Sequence, residues 1–171
     1  GALVPLVGTA PTNYNFAAGD YNREIGLKGD GTSKRLDSGR LGSSDPSANH
    51  HLSCFATAIN TVNTEFSHNY IGGTNSANVR GLVMLSSTTQ HGFVSDSTSV
   101  EVFGPVPAPT GFIGYRRIGQ AALFKNGGVN YSTTEIATSA PTSNMFVFSR
   151  GAERYVDARL AFYSIGESLD L

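Results

Sequence analysis

Short stretches of alternating apolar and polar residues recur along the chain. They predict β-strands, because successive side chains of a strand point to opposite faces of a sheet. The last such stretch spans residues 158–163, where one face carries Ala158, Leu160 and Phe162 and the other carries Arg159, Ala161 and Tyr163. A strand that closes the chain needs partners from far earlier in the sequence. We therefore expect it to be an internal strand, with Leu160 and Phe162 buried.

Two further patterns predict the centre of a sheet and a hairpin. Residues 51–59, HLSCFATAI, have apolar side chains at both odd and even positions, which predicts a central strand covered on both faces. Residues 65–71 and 79–86 predict an antiparallel pair, with Gly72 and Gly73 ending the first strand.

The clearest local turn signal is Asn126-Gly127, because this dipeptide readily adopts the positive φ angles of a tight hairpin. It predicts that residues 129–134 run antiparallel to residues 120–125. No apolar period of 3.6 residues persists long enough for a substantial helix. Many short strands, with turn signals about every ten residues, indicate an all-β fold with little helix, namely a two-sheet antiparallel β-sandwich.

Composition and charge narrow the class of protein. The chain has 171 residues, 39% of them apolar and only 15% charged; this length fits one domain, residues 1–171, with a short N-terminal arm at about residues 1–12. A formal net charge of -1 argues against nucleic-acid binding, which neutralises many phosphates. Cys54 is the only cysteine, so no internal disulfide forms, and we expect it to be buried in a strand. The apolar residues 1–8 are too short to span a membrane, and no membrane insertion is expected.

A resemblance to the laminin-G or concanavalin-like jelly roll lies in two segments, ALFKNGGVNYS and VDARLAFYSIGESL. The last strand of that fold often reads Asp-x-Arg-x-x-hydrophobic-Tyr. Further segments, YNREIGLKGDGTSKRLDSGR, SDPSANHHLSCFAT and MFVFSRG, are similar to concanavalin-like domains of phage and prophage structural proteins, including marine ones. The resemblance covers nearly the whole chain and implies a two-sheet sandwich that binds glycans or forms part of a virion surface.

The resemblance implies a non-enzymatic structural or adhesion domain of phage or viral type, without a cofactor, that binds a cell-surface glycan. The expected partners are this glycan, other virion subunits and further copies of the chain in a homo-oligomer. The expected location is a virion or extracellular surface, after assembly in a host cytoplasm. One alternative is a purely architectural role at a subunit interface.

Enzymatic alternatives find little support in the sequence. Some concanavalin-like relatives are glycan hydrolases of the laminarinase type, which need closely spaced acidic residues on one strand. No Glu-x-Asp-x-Glu pattern is present in this chain, so hydrolysis is not expected. No serine lies in a Gly-x-Ser-x-Gly elbow either.

Two polar and aromatic clusters are candidates for the glycan site. Tyr115 and Arg117 share one face of a predicted strand, where the ring can stack on a sugar and the guanidinium can hydrogen-bond its oxygens. His68, Asn69 and Tyr70 form a similar cluster. The alternative for the first cluster is a sheet edge protected by charge.

Candidate metal ligands are few. Concanavalin-like domains often hold calcium with Asp and Asn oxygens, and Asp30, Asp45 and Asn49 are the conceivable ligands in this chain. Their spacing matches no calcium-loop signature, so no metal is expected. His50 and His51 point to opposite faces of an extended segment and cannot share a metal without a turn. We expect an exposed loop with one histidine, His51, at the start of a strand.

Overall fold

The chain folds into two seven-stranded sheets, A and B, that pack face to face. The computed structural model describes residues 8–59, 68–75, 78–84, 91–97, 101–103, 110–126, 129–134 and 139–169. The paired strands are antiparallel throughout this part of the chain. The predicted all-β sandwich is therefore confirmed. Most of the predicted N-terminal arm, residues 1–7, lies outside the described residues.

In spatial order, sheet A consists of β1 (Thr12–Tyr14), β4 (Arg35–Leu41), β13 (Asn144–Val147), β6 (His68–Thr74), β7 (Val79–Met84), β8 (His91–Ser97) and β9 (Glu101–Phe103). Sheet B consists of β12 (Val129–Thr134), β11 (Ala121–Asn126), β10 (Gly111–Ile118), β5 (Asn49–Ile59), β14 (Ala158–Gly166), β3 (Gly26–Lys28) and β2 (Tyr21–Asn22). Helical turns within the described ranges are limited to two short 3-10 turns, at Ala18–Asp20 and Gly42–Ser44. Neither is long or apolar enough to cross a membrane.

Both predicted hairpins are confirmed as antiparallel strand pairs over the described residues, whereas residues 65–67 and 85–86 of the predicted pair lie outside them. Asn126 at the end of β11 lies opposite Val129 at the start of β12, and β6 pairs with β7. The expected end of the first hairpin strand is wrong, because Gly72 and Gly73 lie inside β6. An ideal Cβ at Gly72 would lie 2.8 Å from Oδ1 of Asn69, so glycine lets this side chain lie against the strand.

The centre of sheet B consists of β5 and its two neighbours, β10 and β14. The predicted closing strand is therefore internal, as expected, with β5 on one side and β3 on the other. Leu52, Cys54 and Ala56 of β5 point into the core between the sheets. Cys54 is buried, as predicted.

The prediction that Phe162 faces the core is wrong, because β14 contains a bulge. Leu160 lies opposite Ala56 and Phe162 lies opposite Phe55, so Ala161 is an extra residue between two successive pairs. An extra residue shifts the alternation of side chains by one position. Leu160 is consequently buried, whereas 46% of Phe162 is exposed.

A loop of residues 42–48 closes one end of the sandwich. Arg80, on the inner face of β7 in sheet A, donates from Nη1 to the backbone oxygen of Gly42 at 2.7 Å and from both terminal nitrogens to that of Asp45 at 3.3 Å. From sheet B, the backbone N–H of Gly119 donates to the oxygen of Ala48 at 2.7 Å. Both sheets therefore hold the backbone of this closing loop.

Candidate functional site

Tyr115 and Arg117 share one face of β10, as predicted, but this face is the interior of the sandwich. Both side chains are 0% exposed. The reason is that β10 lies between β11 and β5, so it is not an edge strand, and the face that carries Ile113 and Tyr115 packs against sheet A. In this fold neither side chain presents a surface to a glycan, and the edge-protection alternative is also wrong.

The second predicted cluster is distributed over both faces of an internal strand. Asn69 and Tyr70 are buried in β6, and His68 is half-buried, with its Nδ1 atom 2.5 Å from the backbone oxygen of Tyr155. Tyr70 of sheet A and Tyr115 of sheet B belong to the same buried core, so the two clusters do not form one exposed surface. The prediction that Asn69 and Tyr70 form an exposed polar and aromatic patch is therefore wrong, because both are buried.

The three conceivable calcium ligands already have other hydrogen-bond donors. The Oδ1 atom of Asp30 accepts backbone N–H groups from three following residues, Thr32, Ser33 and Lys34. Buried Asp45 accepts from the guanidinium of Arg40, with 2.9 Å between Nε and Oδ2, and Asn49 Oδ1 accepts the N–H of Ser168 at 3.1 Å. A calcium ion would have to displace these donors. In the part of the chain that the structure describes, no cluster of three or more His, Cys, Asp and Glu side chains is placed to hold a metal.

The Asp30 turn predicts a pH-dependent contribution to stability. Partial burial opposes ionisation of Asp30, but the three backbone N–H donors and the Ser33 hydroxyl outweigh it and hold the pKa of Asp30 below its ordinary 3.8. The stabilisation is therefore fully present above pH 3.8 and is lost as the pH falls through the folded-state value. We expect Asp30→Asn to cost about 1–2 kcal/mol at pH 7, and less at pH 2.5, where the unfolded state is already protonated, as measured by urea unfolding.

The control for this prediction is Glu24→Gln, which removes one carboxylate from the exposed surface. We expect it to change the free energy of unfolding by less than about 0.5 kcal/mol. A deficit of Asp30→Asn that is the same at pH 7 and pH 2.5 would contradict the assigned role of the Asp30 charge.

His50 and His51 are buried in β5, so the expected exposed loop is wrong, whereas the predicted placement of His51 in a strand is confirmed. They point to opposite faces of sheet B, as predicted. His50 points inward, where its Nε2 atom is 3.1 Å from the hydroxyl oxygen of Tyr115 and its Nδ1 atom is 3.2 Å from the backbone oxygen of Pro46. His51 points to the outer face of the sheet.

The outer face of sheet B carries a row of three aromatic rings that the sequence did not reveal. Phe112 of β10 lies directly opposite Phe55 of β5, and Phe55 lies directly opposite Phe162 of β14. Phe55 is 43% exposed and Phe162 is 46% exposed, while Phe112 is half-buried. Side chains directly opposite on neighbouring strands are about 5 Å apart at Cβ. These three residues, the phenylalanine row, therefore lie side by side on the outer face across three strands.

Small and polar residues flank the phenylalanine row on the same face. An ideal Cβ at Gly114 would lie 3.0 Å from Cζ of Phe112 and 2.9 Å from Cβ of Ser53, so the ring of Phe112 lies over the glycine. Ser164 lies opposite Ser53, and Lys125 lies opposite Gly114. Hydroxyl groups and an ammonium group therefore adjoin the apolar surface.

The signal for this surface was present in residues 51–59 but was ambiguous. Phe55 shares its strand face with Ser53 and Thr57, and two polar neighbours indicate a face that is not core. The opposite face, with Leu52 and Cys54, is apolar throughout. Because Phe55 is itself strongly apolar, the segment was predicted to be covered on both faces.

Comparison of the chain with protein-family models, with curated proteins and with solved structures finds no match. The possible roles of the outer face of sheet B are therefore inferred from its geometry and chemistry.

Proposed function

We propose that the chain is an adhesion or display domain of a phage-type or viral structural protein, and that it binds a cell-surface glycan without cleaving it. The observation that supports this most strongly is the phenylalanine row, which places exposed aromatic rings in the middle of a broad sheet face. Exposed aromatic side chains that are grouped on one face, rather than scattered singly, are typical of a binding surface. The resemblance to concanavalin-like phage domains supports the same proposal.

The chemistry of the outer face suits a sugar ring. A pyranose has an apolar face of C–H groups, which stacks on an aromatic ring, and a rim of hydroxyl groups, which need hydrogen-bond partners. Phe55 and Phe162 offer the aromatic surface. Ser164 and Lys125 offer polar groups beside it.

Three acidic side chains of the described residues are paired with basic side chains and are not free to act in glycoside hydrolysis. Glycoside hydrolysis needs two carboxylates that flank the scissile bond. The carboxylate of Asp20 is paired with Lys34 at 2.6 Å, that of Glu153 with Arg150 at 2.6 Å, and that of Asp45 with Arg40. These three carboxylates are thus engaged within the fold.

A shallow site on one sheet face binds weakly, so we propose that the domain acts as a homo-oligomer on a virion or extracellular surface. Several copies on one particle raise the effective concentration of each further site once the first has bound. Weak single sites then produce firm attachment.

The proposal is tested on a glycan array, with the assembled protein and two matched variants. Phe55→Ala removes the central ring of the row. Leu41→Ala removes an equally exposed side chain, 44% accessible, from sheet A. We expect Phe55→Ala to weaken glycan binding about tenfold, the effect of losing one stacking contact of roughly 1.4 kcal/mol, and Leu41→Ala to leave it unchanged. A blank array and a blank pull-down with wild-type protein would refute glycan binding.

The phenylalanine row also favours a second candidate function, an architectural interface between copies of the chain. Its three side chains are wholly apolar, as in the core of an obligate interface. In that case Phe55→Ala would lower the oligomeric state measured by sedimentation equilibrium, and the wild-type protein would bind no glycan. The combination of an unchanged oligomer and lost glycan binding in Phe55→Ala would decide for adhesion.

A further inference from the structure

Ser164 and His51 form a hydrogen-bonded pair on the outer face of sheet B, beside the phenylalanine row. The Oγ atom of Ser164 lies 2.8 Å from Nε2 of His51, and Nδ1 of His51 lies 2.5 Å from the backbone oxygen of Glu167. A carbonyl oxygen only accepts hydrogen bonds, so Nδ1 carries the proton of the neutral imidazole. Nε2 therefore accepts a hydrogen bond from the Ser164 hydroxyl. This is the arrangement of a nucleophile, a general base and a group that orients the base.

The imidazole of His51 is held in the form that accepts a proton. Burial lowers its pKa below the ordinary 6.5, and this effect outweighs the hydrogen bond to Glu167, which acts in the opposite direction. The ring is consequently neutral at pH 7. The backbone oxygen of Glu167 fixes which of its two nitrogens is free to act as a base.

The strand that carries Ser164 also offers backbone N–H donors beside it. On one side, β14 pairs with β5 along its whole length, but on the other side β3 pairs only with Arg159 and Leu160. In an antiparallel ladder, alternate residues direct their N–H groups away from a given partner. In residues 161–166, the N–H groups that point away from β5 face the side of β14 on which no described strand pairs with these residues. A carbonyl group held at Ser164 would take its hydrogen bond from such a group.

We propose that Ser164 and His51 form an acyl-transfer site that hydrolyses carboxylic esters with a small acyl group. The half-buried position of Ser164 favours a small acyl group, and the exposed rings of Phe162 and Phe55 form an apolar surface for the alcohol part of the ester. This activity goes beyond glycan binding and does not depend on it.

The reaction proceeds in two balanced steps. Oγ of Ser164 bonds to the carbonyl carbon while its proton passes to Nε2 of His51, and the ester C–O bond breaks as the alcohol leaves with that proton. Water then attacks the acyl-serine, with Nε2 of His51 taking its proton and returning one to Oγ. One ester and one water thus give one acid and one alcohol.

The test uses the full chain with 4-nitrophenyl acetate as substrate and a fluorophosphonate as the covalent probe. We expect wild-type protein to hydrolyse the ester about 100-fold faster than Ser164→Ala, the lower end of what a positioned general base contributes. We expect the probe to modify Ser164, identified by peptide mass mapping. Ser53→Ala is the matched control, because Ser53 lies opposite Ser164 on the same face, and it should keep both activities.

A second variant separates catalysis from folding, because His51 also hydrogen-bonds the backbone oxygen of Glu167, directly after β14. Ser164→Cys places a more nucleophilic atom beside His51, and we expect it to react with iodoacetamide at least tenfold faster than a free cysteine does. Burial raises the pKa of the Cys54 thiol well above its usual value, so Cys54 does not compete. If wild-type protein turns over no ester and takes up no probe, or if Ser164→Ala keeps both activities, the proposal is wrong. A Ser164→Cys thiol that reacts no faster than free cysteine would also overturn it.

Discussion

Leu160→Asp is expected to abolish folding, whereas Phe162→Asp is expected to give a soluble protein with nearly unchanged stability. Leu160 is buried between β5 and β3 in the core, so its replacement removes apolar packing and places a carboxyl group where no partner is available. The two effects together cost about 5 kcal/mol or more, which is as much as many domains have in total. Phe162 is nearly half exposed, so aspartate at that position remains hydrated and costs about 1 kcal/mol or less.

The two substituted positions are two residues apart in the sequence and lie on either side of the bulge at Ala161. Each variant therefore serves as the control for the other. The measurements are the soluble yield and the midpoint of thermal unfolding by circular dichroism. A folded Leu160→Asp with the wild-type midpoint would show that β14 is wrongly placed. An unfolded Phe162→Asp would show that the bulge at Ala161 does not exist and that the strand alternates without interruption.

Leu160 and Phe162 show what the alternation of apolar and polar residues predicts correctly and what it does not. The pattern of residues 158–163 predicted an internal strand with a buried Leu160, and the structure confirms both. Alternation assumes a constant register with the neighbouring strand. The extra residue in β14 is set by its pairing with β5, some 100 residues earlier in the chain, and such long-range pairing leaves no local signal in the sequence.

At the candidate site, too, the burial of polar residues depends on long-range strand pairing that the local sequence does not show. Tyr115 and Arg117 were predicted to form an exposed glycan-binding surface, because the ring can stack on a sugar and the guanidinium can hydrogen-bond its oxygens. Their burial depends on the face of β10 that packs against sheet A, and on a buried partner, His50, whose ring nitrogen is 3.1 Å from the Tyr115 hydroxyl. Buried polar groups are tolerated when they find such partners. Neither the face nor the partner can be read from residues 111–117 alone.

For the apolar residue Phe55 the prediction was wrong in the opposite direction, from buried to exposed. Phe55 was predicted to be covered, yet it lies at the centre of the phenylalanine row on the surface. The hydrophobic effect makes a buried phenylalanine the more common case, so exposure of three in register is informative only after the strand pairing is known. The proposed glycan surface and the Ser164–His51 pair both arise from strands that pair across the β5–β14 ladder.

Arg80→Met is expected to destabilise the fold by about 3 kcal/mol, the second largest effect. Arg80 is buried, and its guanidinium donates to the backbone oxygens of Gly42 and Asp45 in the closing loop. Methionine has a similar length and fills much of the same volume, but it has no donor. Each buried carbonyl that loses its donor costs roughly 1–3 kcal/mol. Urea unfolding at pH 7 measures the total loss, and amide hydrogen exchange should show faster opening of residues 42–48.

Arg23→Met is the matched control for this prediction, because Arg23 carries the same charge in an exposed position. It should change the free energy of unfolding by less than about 0.5 kcal/mol. Arg80→Lys should fall between the two, since one ammonium group keeps the charge but cannot reproduce the planar, forked donor geometry that reaches both oxygens. Because a buried arginine can sometimes be replaced by a well-packed apolar side chain without loss, equal stability of Arg80→Met and Arg23→Met would show that the closing loop is held by the sheet B contacts alone. A loss in Arg80→Met that is absent from Arg23→Met, with faster exchange in residues 42–48, would show that Arg80 holds the closing loop against sheet A.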